Sequence, residues 1–524
     1  MKLHLNKALM SVVLGAAVQV AGAAAVTVTP DVVVNNGADL SAALTGKSNA
    51  TVVLDVVDKG ETSLSGTVST TSRLDVREGT LNVGGNLTIN HSNPDGNTTN
   101  SIQVSGSGAT LNIENGTVIA KGGHGFVNVG GSDGKGTLNM KNATLDANVS
   151  LVAGYNDGAY WEHIVPSTTV APDSSVEYTA GEFDVVTAPA GRAFGTATIN
   201  MDKSVAKFGS AIFIGEADVT LTNGSRMEVG HANISTDAHS IADRANNQKA
   251  GCNFLGRQSG STTELNIESG SKLDIVGSLF TGSITSTNTK AVVNIDGEKS
   301  SLQTSQAIGF GYGHAGDAAG VKCSETIVSL TNGGSMVSET ILFGVQVAES
   351  KGLHTVDVDV EKAASITAKD IVISNGADVT VKDGSLAFST LTMNGGALTL
   401  DDAAMLTINV TKAAGTAITL DGDAAQLNFA ANTIKLVFDE LLSVANPSVQ
   451  LTWELISGIG ENDDVNLEDL KILSGTDYVS LSNVNVEKTD GKVVLTATAS
   501  IPEPTTATLS LLALAALASR RRRK

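Results

Sequence analysis

The chain has 524 residues, of which 41% are hydrophobic, 4% aromatic and 17% charged, and its formal net charge at pH 7 is -20. This apolar share excludes a wholly disordered chain, and the scarcity of aromatic residues predicts a core built from Val, Leu, Ile and Ala. The acidic balance argues against nucleic acid as a partner, because phosphate groups would be repelled.

Residues 1–25 have the parts of a secretory signal peptide. Lys2 and Lys7 give a positive start, an apolar stretch follows, and small residues supply cleavage sites after Ala23 or Ala25. The apolar stretch is shorter than the roughly 20 residues that a membrane span needs. We therefore expect export and cleavage at this end.

One pattern recurs through residues 26–430. An apolar-polar-apolar triplet is followed by a turn rich in Asn and Gly and then by a second short alternating run, as in Leu111–Ile119 and Leu265–Leu273. A period of two with Val, Ile, Leu and Thr predicts strands, and Asn-Gly suits turn positions that need positive φ. A further apolar run ending in Gly lies between the copies, so each unit is predicted to hold two or three strands.

The spacing of the repeats predicts how the units stack. The strand starts are Leu81, Leu111, Leu138, Ile199, Val219, Leu265, Val293, Val328, Val358, Val379 and Leu398. Most are 19 to 35 residues apart, but Leu138 to Ile199 is 61 and Val219 to Leu265 is 46, which predicts two or more units in each interval. Units that cannot bury their apolar faces alone predict an all-β, right-handed parallel β-helix (β-solenoid) of about 16 coils. Several β-sandwich domains are the alternative fold.

Residues 150–195 interrupt the repeat. They contain Tyr155, Tyr160, Trp161 and Tyr178, together with three of the eight prolines. We interpret this segment as an irregular excursion from one coil. Its aromatic rings are candidate carbohydrate contacts, because they can stack on sugar rings. Packing of the same rings against the flank of the solenoid is the alternative.

Residues 431–500 differ from the repeats. The runs from Ser448 to Ile456 and from Lys492 to Thr498 are predicted to be longer antiparallel strands. An exposed solenoid end is an aggregation hazard, so we predict a β-rich cap here. Cys252 and Cys323 leave disulfide pairing open.

Residues 501–524 form a three-part tail. Pro502, Glu503 and Pro504 precede an apolar stretch, which is predicted to be a short hydrophobic helix. The basic cluster that follows is predicted to stop the chain at the cytoplasmic side of a membrane. It consists of Arg520, Arg521, Arg522, Arg523 and Lys524.

This tail resembles the PEP-CTERM sorting signal of Gram-negative bacteria. The resemblance implies an exosortase-type sorting peptidase and the secretion machinery as partners, with Pro502, Glu503 and Pro504 as the sorting motif. It also implies location at the cell surface, outer membrane or extracellular matrix after transient anchoring in the inner membrane. A simple C-terminal anchor is the alternative. The body is similar to the β-helical passenger repeats of autotransporters.

The sequence offers no complete catalytic set. Gly123 to Gly125 and Asp401–Asp402 match pieces of the polygalacturonase pattern, but in reversed order and without its flanking segments. Asp357 and Asp359 share one face of a strand and could hold calcium, although solvated carboxylates are the simpler interpretation. We predict no enzyme activity, no cofactor and no metal site.

These features predict an exported, surface-sorted, non-enzymatic β-solenoid protein. It would act as an adhesin or as a component of the cell envelope or exopolysaccharide matrix, with glycans or extracellular matrix as partners and membrane contact only through the C-terminal segment. The alternative is a carbohydrate-binding or polysaccharide-cleaving β-helix with its site at the excursion of residues 150–195 and the solenoid flank beside it. A passive acidic rod is a third hypothesis.

Overall fold

The protein is all-β. The computed structural model describes residues 32–34, 37–46, 51–55, 61–91, 99–121, 125–131, 134–154, 195–209, 211–230, 252–256, 259–281, 287–311, 319–345, 351–421, 424–438, 441–442, 447–461, 463–477 and 479–501. Numbered in chain order, these residues form strands β1 to β43 and one helix, α1 (Gly37–Gly46). The strands wind into a parallel β-solenoid with three faces, so that each coil contributes one strand or strand segment to each face in turn.

The first face consists of a 3-stranded and an 11-stranded sheet, which together give fourteen coils among the described residues. Its strands are β3 (Glu61–Leu64), β6 (Thr80–Val83), β9 (Ser107–Glu114), β12 (Lys135–Lys141), β15 (Thr196–Asp202), β18 (Ala217–Thr222), β21 (Thr262–Glu268), β24 (Thr289–Asp296), β27 (Lys322–Thr331), β29 (Leu353–Glu361), β31 (Ala377–Lys382), β34 (Ala397–Leu400), β37 (Gln426–Phe429) and β40 (Asp464–Val465).

The second face is a column of parallel strands that follow the first-face strands after a short turn. They are β4 (Thr67–Thr70), β7 (Asn86–Asn90), β10 (Thr117–Lys121), β13 (Thr144–Ala147), β16 (Val205–Phe208), β19 (Arg226–Val229), β22 (Lys272–Ile275), β25 (Ser301–Thr304), the first halves of β28 (Ser335–Phe343) and β30 (Ser365–Ser374), β32 (Ser385–Phe388), β35 (Met405–Asn409), β38 (Thr433–Val437) and β41 (Lys471–Ser474).

The third face closes each coil, and β28 and β30 pass from the second face into it without a break. Its other strands are β1 (Val32–Val34), β2 (Thr51–Asp55), β5 (Arg73–Glu78), β8 (Thr99–Val104), β11 (Gly125–Val129), β14 (Ser150–Ala153), β17 (Ile212–Ile214), β20 (Cys252–Leu255), β23 (Ser278–Thr281), β26 (Ala307–Phe310), β33 (Thr390–Asn394), β36 (Ala414–Leu420), β39 (Ser448–Ser457), β42 (Ser480–Thr489) and β43 (Lys492–Ser500).

The predicted strand starts form one inward column of the first face. Leu81 opposes Leu111, and the column continues in register from Leu138 to Leu398. Strands β9 and β12 are joined by a side-chain hydrogen bond between Asn112 and Asn139. The sequence pattern therefore identified equivalent positions in successive coils, and the prediction of two or three strands per unit is confirmed.

The interpretation of the two long intervals was wrong. Leu138 opposes Ile199 directly and Val219 opposes Leu265 directly, so each interval is a single coil. The extra residues come between β14 and β15 in one interval and between β19 and β20 in the other, and their number does not change the register of the strands that follow. This is why the coils number fourteen rather than about 16 among the described residues.

The core is a continuous column of inward side chains from Leu40 to Ala499. It is mainly aliphatic, as predicted, with a few buried Phe side chains among the aliphatic ones. The rings of Phe310 and Phe343 stack with centroids 5.7 Å apart, and both are at most 1% exposed. Thin strand layers filled in this way explain how a large core needs few aromatic residues.

The two ends of the described solenoid contain different elements. Helix α1 places the fully buried Leu40 and Leu44 against the first coils. At the other end β39 pairs in parallel with β36 and antiparallel with β43, which also pairs antiparallel with β42. The predicted antiparallel runs near Ser448 and Lys492 are thus confirmed. Parallel pairing continues beyond residue 430, through β38 and β41.

The Cys323 thiol is buried and donates a hydrogen bond to the carbonyl oxygen of Val321 at 3.5 Å, whereas the side chain of Cys252 lies outside the described residues.

Within the described residues, no helix has the length and apolar character that a membrane span requires.

Candidate functional site

A groove runs along the first face over its first six strands. Its volume is about 680 Å³, and it is lined by residues of β3, β6, β9, β12, β15 and β18 and the turns that follow them. The floor is a column of outward side chains, one from each strand. They are Ser63, Asn82, Asn112, Asn139, Asn200 and Thr220.

Four of these floor residues are asparagines joined into a hydrogen-bonded ladder. Asn112 Nδ2 donates to Asn82 Oδ1 (2.7 Å), Asn139 Nδ2 to Asn112 Oδ1 (2.9 Å), and Asn200 Nδ2 to Asn139 Oδ1 (2.9 Å). All the bonds point the same way along the solenoid. An amide has two N–H donors and two acceptor lone pairs, so each inner asparagine keeps one donor and one lone pair for the groove.

A second polar column lies beside the ladder. In each of these four strands a Thr stands two residues before the Asn, and an inward Leu or Ile lies between them. The threonines are Thr80, Thr110, Thr137 and Thr198, and all are half-buried. Because side chains alternate along a strand, the pattern Thr-apolar-Asn puts both polar groups on the outer surface at every coil.

The charged groups at the groove wall are paired. Lys141 Nζ lies 3.5 Å from Glu114 Oε1, and Asp202 Oδ1 accepts a hydrogen bond from Asn223 Nδ2 at 2.8 Å. The floor itself carries only amides and hydroxyls. The groove therefore has an uncharged floor rich in hydrogen-bonding groups, and one net negative charge at its wall, on Asp202.

The same column resumes further along the face in a different setting. Asn294 Nδ2 donates to Asn266 Oδ1 at 2.7 Å, and Asn266 in turn donates to Glu264 of its own strand at 3.0 Å. This pair lies outside the groove lining. It provides an internal comparison for the role of the groove asparagines.

The acidic residues considered for calcium lie on β29, the tenth of the described strands of the first face. Asp357 directly opposes Asp378 on the next strand, and Asp359 lies 3.6 Å from Lys382 Nζ. Burial, followed by the negative charges of Asp378, Glu325 and Asp359, raises the pKa of Asp357. Among the described residues, no three His, Cys, Asp or Glu side chains are grouped as metal ligands.

The described residues contain one close serine–histidine pair. Ser324 Oγ lies 2.7 Å from His354 Nδ1, and the two residues are only 1% and 3% exposed. A nucleophile and base so enclosed have no room for a substrate, so the pair serves the packing of the coil.

Asp401, one of the residues compared with the polygalacturonase pattern, belongs to a turn. Its Oδ1 accepts a hydrogen bond from Ala403 N at 3.0 Å.

The residues predicted to act in binding or sorting lie outside the described residues. These are the aromatic candidates Tyr155, Tyr160, Trp161 and Tyr178, the motif Pro502, Glu503 and Pro504, and the basic cluster Arg520, Arg521, Arg522, Arg523 and Lys524. Their predicted roles stay predictions.

Sequence reasoning missed the groove. A signal was present, because the triplet Thr-Leu-Asn or Thr-Ile-Asn occurs at four successive units. The alignment of the third and fourth copies across 61 residues became visible only with the register between β12 and β15.

Comparison with known proteins gave no similarity to report. No protein family, curated protein or solved structure matches this chain.

Proposed function

We propose that this chain is an exported, surface-sorted, non-enzymatic β-solenoid protein that acts as an adhesin or as a component of the cell envelope or exopolysaccharide matrix. The observation that carries the proposal is the solenoid, which has fourteen coils in the part of the chain that the structure describes and presents a regular polar surface on its first face. Such a rod offers an extended binding surface from repeated small units. The predicted signal peptide and the PEP-CTERM-like tail supply the route to the surface.

The proposal includes the finer features of the architecture. The solenoid is right-handed, residues 431–500 cap its C-terminal end, and the tail forms a short hydrophobic helix that an exosortase-type peptidase removes near Pro502. The buried positions of Val493, Leu495, Ala497 and Ala499 on β43 support the capping role, since they extend the core to the end of the rod.

Labelling of intact cells tests surface display. Leu353 is 55% exposed on β29, so a Leu353→Cys variant should react with a membrane-impermeant maleimide on intact cells. The unsubstituted chain, which keeps Cys252 and Cys323, is the control for background labelling. Labelling of the variant only after lysis would contradict surface display.

A second candidate function is carbohydrate binding or polysaccharide cleavage, and the groove on the first face, with its floor of amides and hydroxyls, favours its binding part. The purified full chain, incubated with neutral and acidic polysaccharides, should release no new reducing ends. Release that disappears on a point substitution would replace the non-enzymatic proposal with a polysaccharide-cleaving one.

A further inference from the structure

The asparagine ladder has the geometry of a track for a repeating ligand. Its floor crosses six strands, and adjacent strands lie about 4.8 Å apart, so the track extends over ~24 Å. The same amide group recurs at four consecutive steps with one bond direction. A polymer that repeats at a similar interval can form the same hydrogen bonds at each step.

The spacing and the charge select the kind of polymer. An extended peptide advances about 3.3 Å per residue and so falls out of step with the coils. Nucleic acid and acidic glycans would meet a chain with a net charge of -20. An extended chain of pyranose sugars advances by close to one coil per sugar, and its hydroxyls both donate and accept hydrogen bonds.

The free hydrogen-bonding capacity matches such hydroxyls. Asn112 and Asn139 each use one N–H and one lone pair within the ladder and keep one of each for a ligand. Glu114 and Lys141 at the groove wall form an ion pair, and the remaining charge in the lining, on Asp202, is negative and accepts a hydrogen bond from Asn223. A cationic ligand would find better partners at Asp357, Asp359 and Asp378, on strands beyond the groove.

We propose that this groove binds an uncharged linear polysaccharide, whose chain lies along the asparagine ladder parallel to the solenoid axis. The inference deepens the proposed function and rests on it, because export is what would bring the groove into contact with such a polymer. Binding by the purified protein is measured without cells. Failure of binding is therefore distinguishable from failure of surface display.

The test measures binding of defined sugars to the purified full chain by calorimetry. The probes are linear neutral hexasaccharides (β-1,4-glucan, β-1,3-glucan and α-1,4-glucan), the matching trisaccharides, and a hexamer of galacturonic acid. At least one neutral hexasaccharide should bind, about tenfold more tightly than its trisaccharide, since each added sugar can form further hydrogen bonds of the usual strength. The acidic hexamer should bind more weakly than the neutral one.

Two variants with a matched control locate the binding. Asn112→Ala with Asn139→Ala should weaken hexasaccharide binding at least about tenfold. The control, Asn266→Ala with Asn294→Ala, removes an equivalent ladder bond outside the groove and should leave binding unchanged. If the first variant does not fold, Gly84→Gln serves instead, because an added Cβ at Gly84 meets only Glu114 O at 3.9 Å and the side chain would obstruct the groove.

Several results would overturn the proposal. The first is that no neutral hexasaccharide binds. The second is that the acidic hexamer binds more tightly than the neutral hexasaccharides. The third is that the groove variant and the control variant lose binding equally. A fourth is that the intact chain binds no sugar but slows the growth of ice crystals. The polar columns would then order water, and the proposal of polysaccharide binding would be wrong.

Discussion

Leu138 and Ile199 lie opposite each other in adjacent parallel strands of the first face, although 61 residues separate them in the sequence. The two ends of the intervening segment meet at one residue of the next coil. Glu216 N donates to the carbonyl oxygen of Gly154, and Ala197 N donates to the carbonyl oxygen of Glu216. The connection from β14 to β15 could therefore be short, like the two residues Gly215 and Glu216 that connect β17 to β18 in the next coil.

Excision of residues 155–194, which joins Gly154 to Gly195, should leave the solenoid folded. We expect an unchanged β-type circular dichroism spectrum and a stability that is unchanged or higher by up to ~2 kcal/mol, because a shorter loop costs less entropy to close. Excision of β15 (196–202) is the control and should abolish cooperative unfolding. Loss of cooperativity in the first variant would show that the segment is part of the coil.

The variant that lacks residues 155–194 also tests the aromatic candidates for glycan binding, because it removes Tyr155, Tyr160, Trp161 and Tyr178.

Truncation of Phe343 should destabilise the solenoid strongly. Its ring is buried and stacked on Phe310, so Phe343→Ala should cost about 3–5 kcal/mol through lost burial and the cavity that remains. Urea unfolding of the full chain measures the effect. Leu353→Ala, at a side chain that is 55% exposed, should change stability by no more than ~0.5 kcal/mol. Similar losses at both positions would contradict the assignment of the core.

The turn at Asn142 should tolerate Gly better than Ala. Asn142 has φ of 46° and an exposed side chain. Ala in this left-handed conformation should cost about 1 kcal/mol, whereas Gly adopts it without steric strain. Thermal unfolding of Asn142→Ala and Asn142→Gly makes the comparison. A Gly variant less stable than the Ala variant would rule out φ as the reason for Asn in the repeated turns.

Asp357→Asn should stabilise the protein at neutral pH. Burial and the neighbouring carboxylates raise the pKa of Asp357 above its ordinary value, so the folded state holds this proton more tightly than the unfolded state. Stability is therefore lost as pH rises through the carboxyl range. Removing the charge should recover ~0.3 kcal/mol, the scale of a cross-strand pair.

The gain at Asp357 should disappear in acid, where the carboxyl is protonated in both states. This gain is measured by comparing the unfolding midpoints of the unsubstituted protein and of Asp357→Asn from acid to neutral pH. Asp146→Asn is the control, because Asp146 lies between Ile119 and Lys207 in adjacent strands and opposes no acid there. A gain that persists in acid, or one of equal size at Asp146, would exclude repulsion as its cause.

The sequence allowed the inward half of the fold to be predicted residue by residue. Alternation places Leu81, Val219 and Leu398 inside, and the repeated turn fixes the spacing, so the inward column followed from local pattern alone. The number of coils did not follow, because residues inserted at a corner leave the register of the next strand unchanged. Periodicity counts residues along the chain, whereas stacking depends on which strands become neighbours.

The groove could not be predicted for a related reason. A single outward Asn, such as Asn82 or Asn200, looks like any solvated residue. It becomes part of a ladder only when the neighbouring coil supplies an acceptor at hydrogen-bond distance. The predicted sorting signals are a different case, since they are local motifs that the sequence alone displays.

The most direct measurement of surface sorting determines both mature ends of the chain. The full chain would be expressed in a Gram-negative host that carries an exosortase, the cells fractionated, and the termini read by mass spectrometry. The proposal predicts a body that begins near Ala24 or Val26, ends near Pro502 to Pro504, and is found on the surface or outside the cell. A chain that keeps Arg520 to Lys524 and stays in the inner membrane would contradict it and reduce the tail to an anchor.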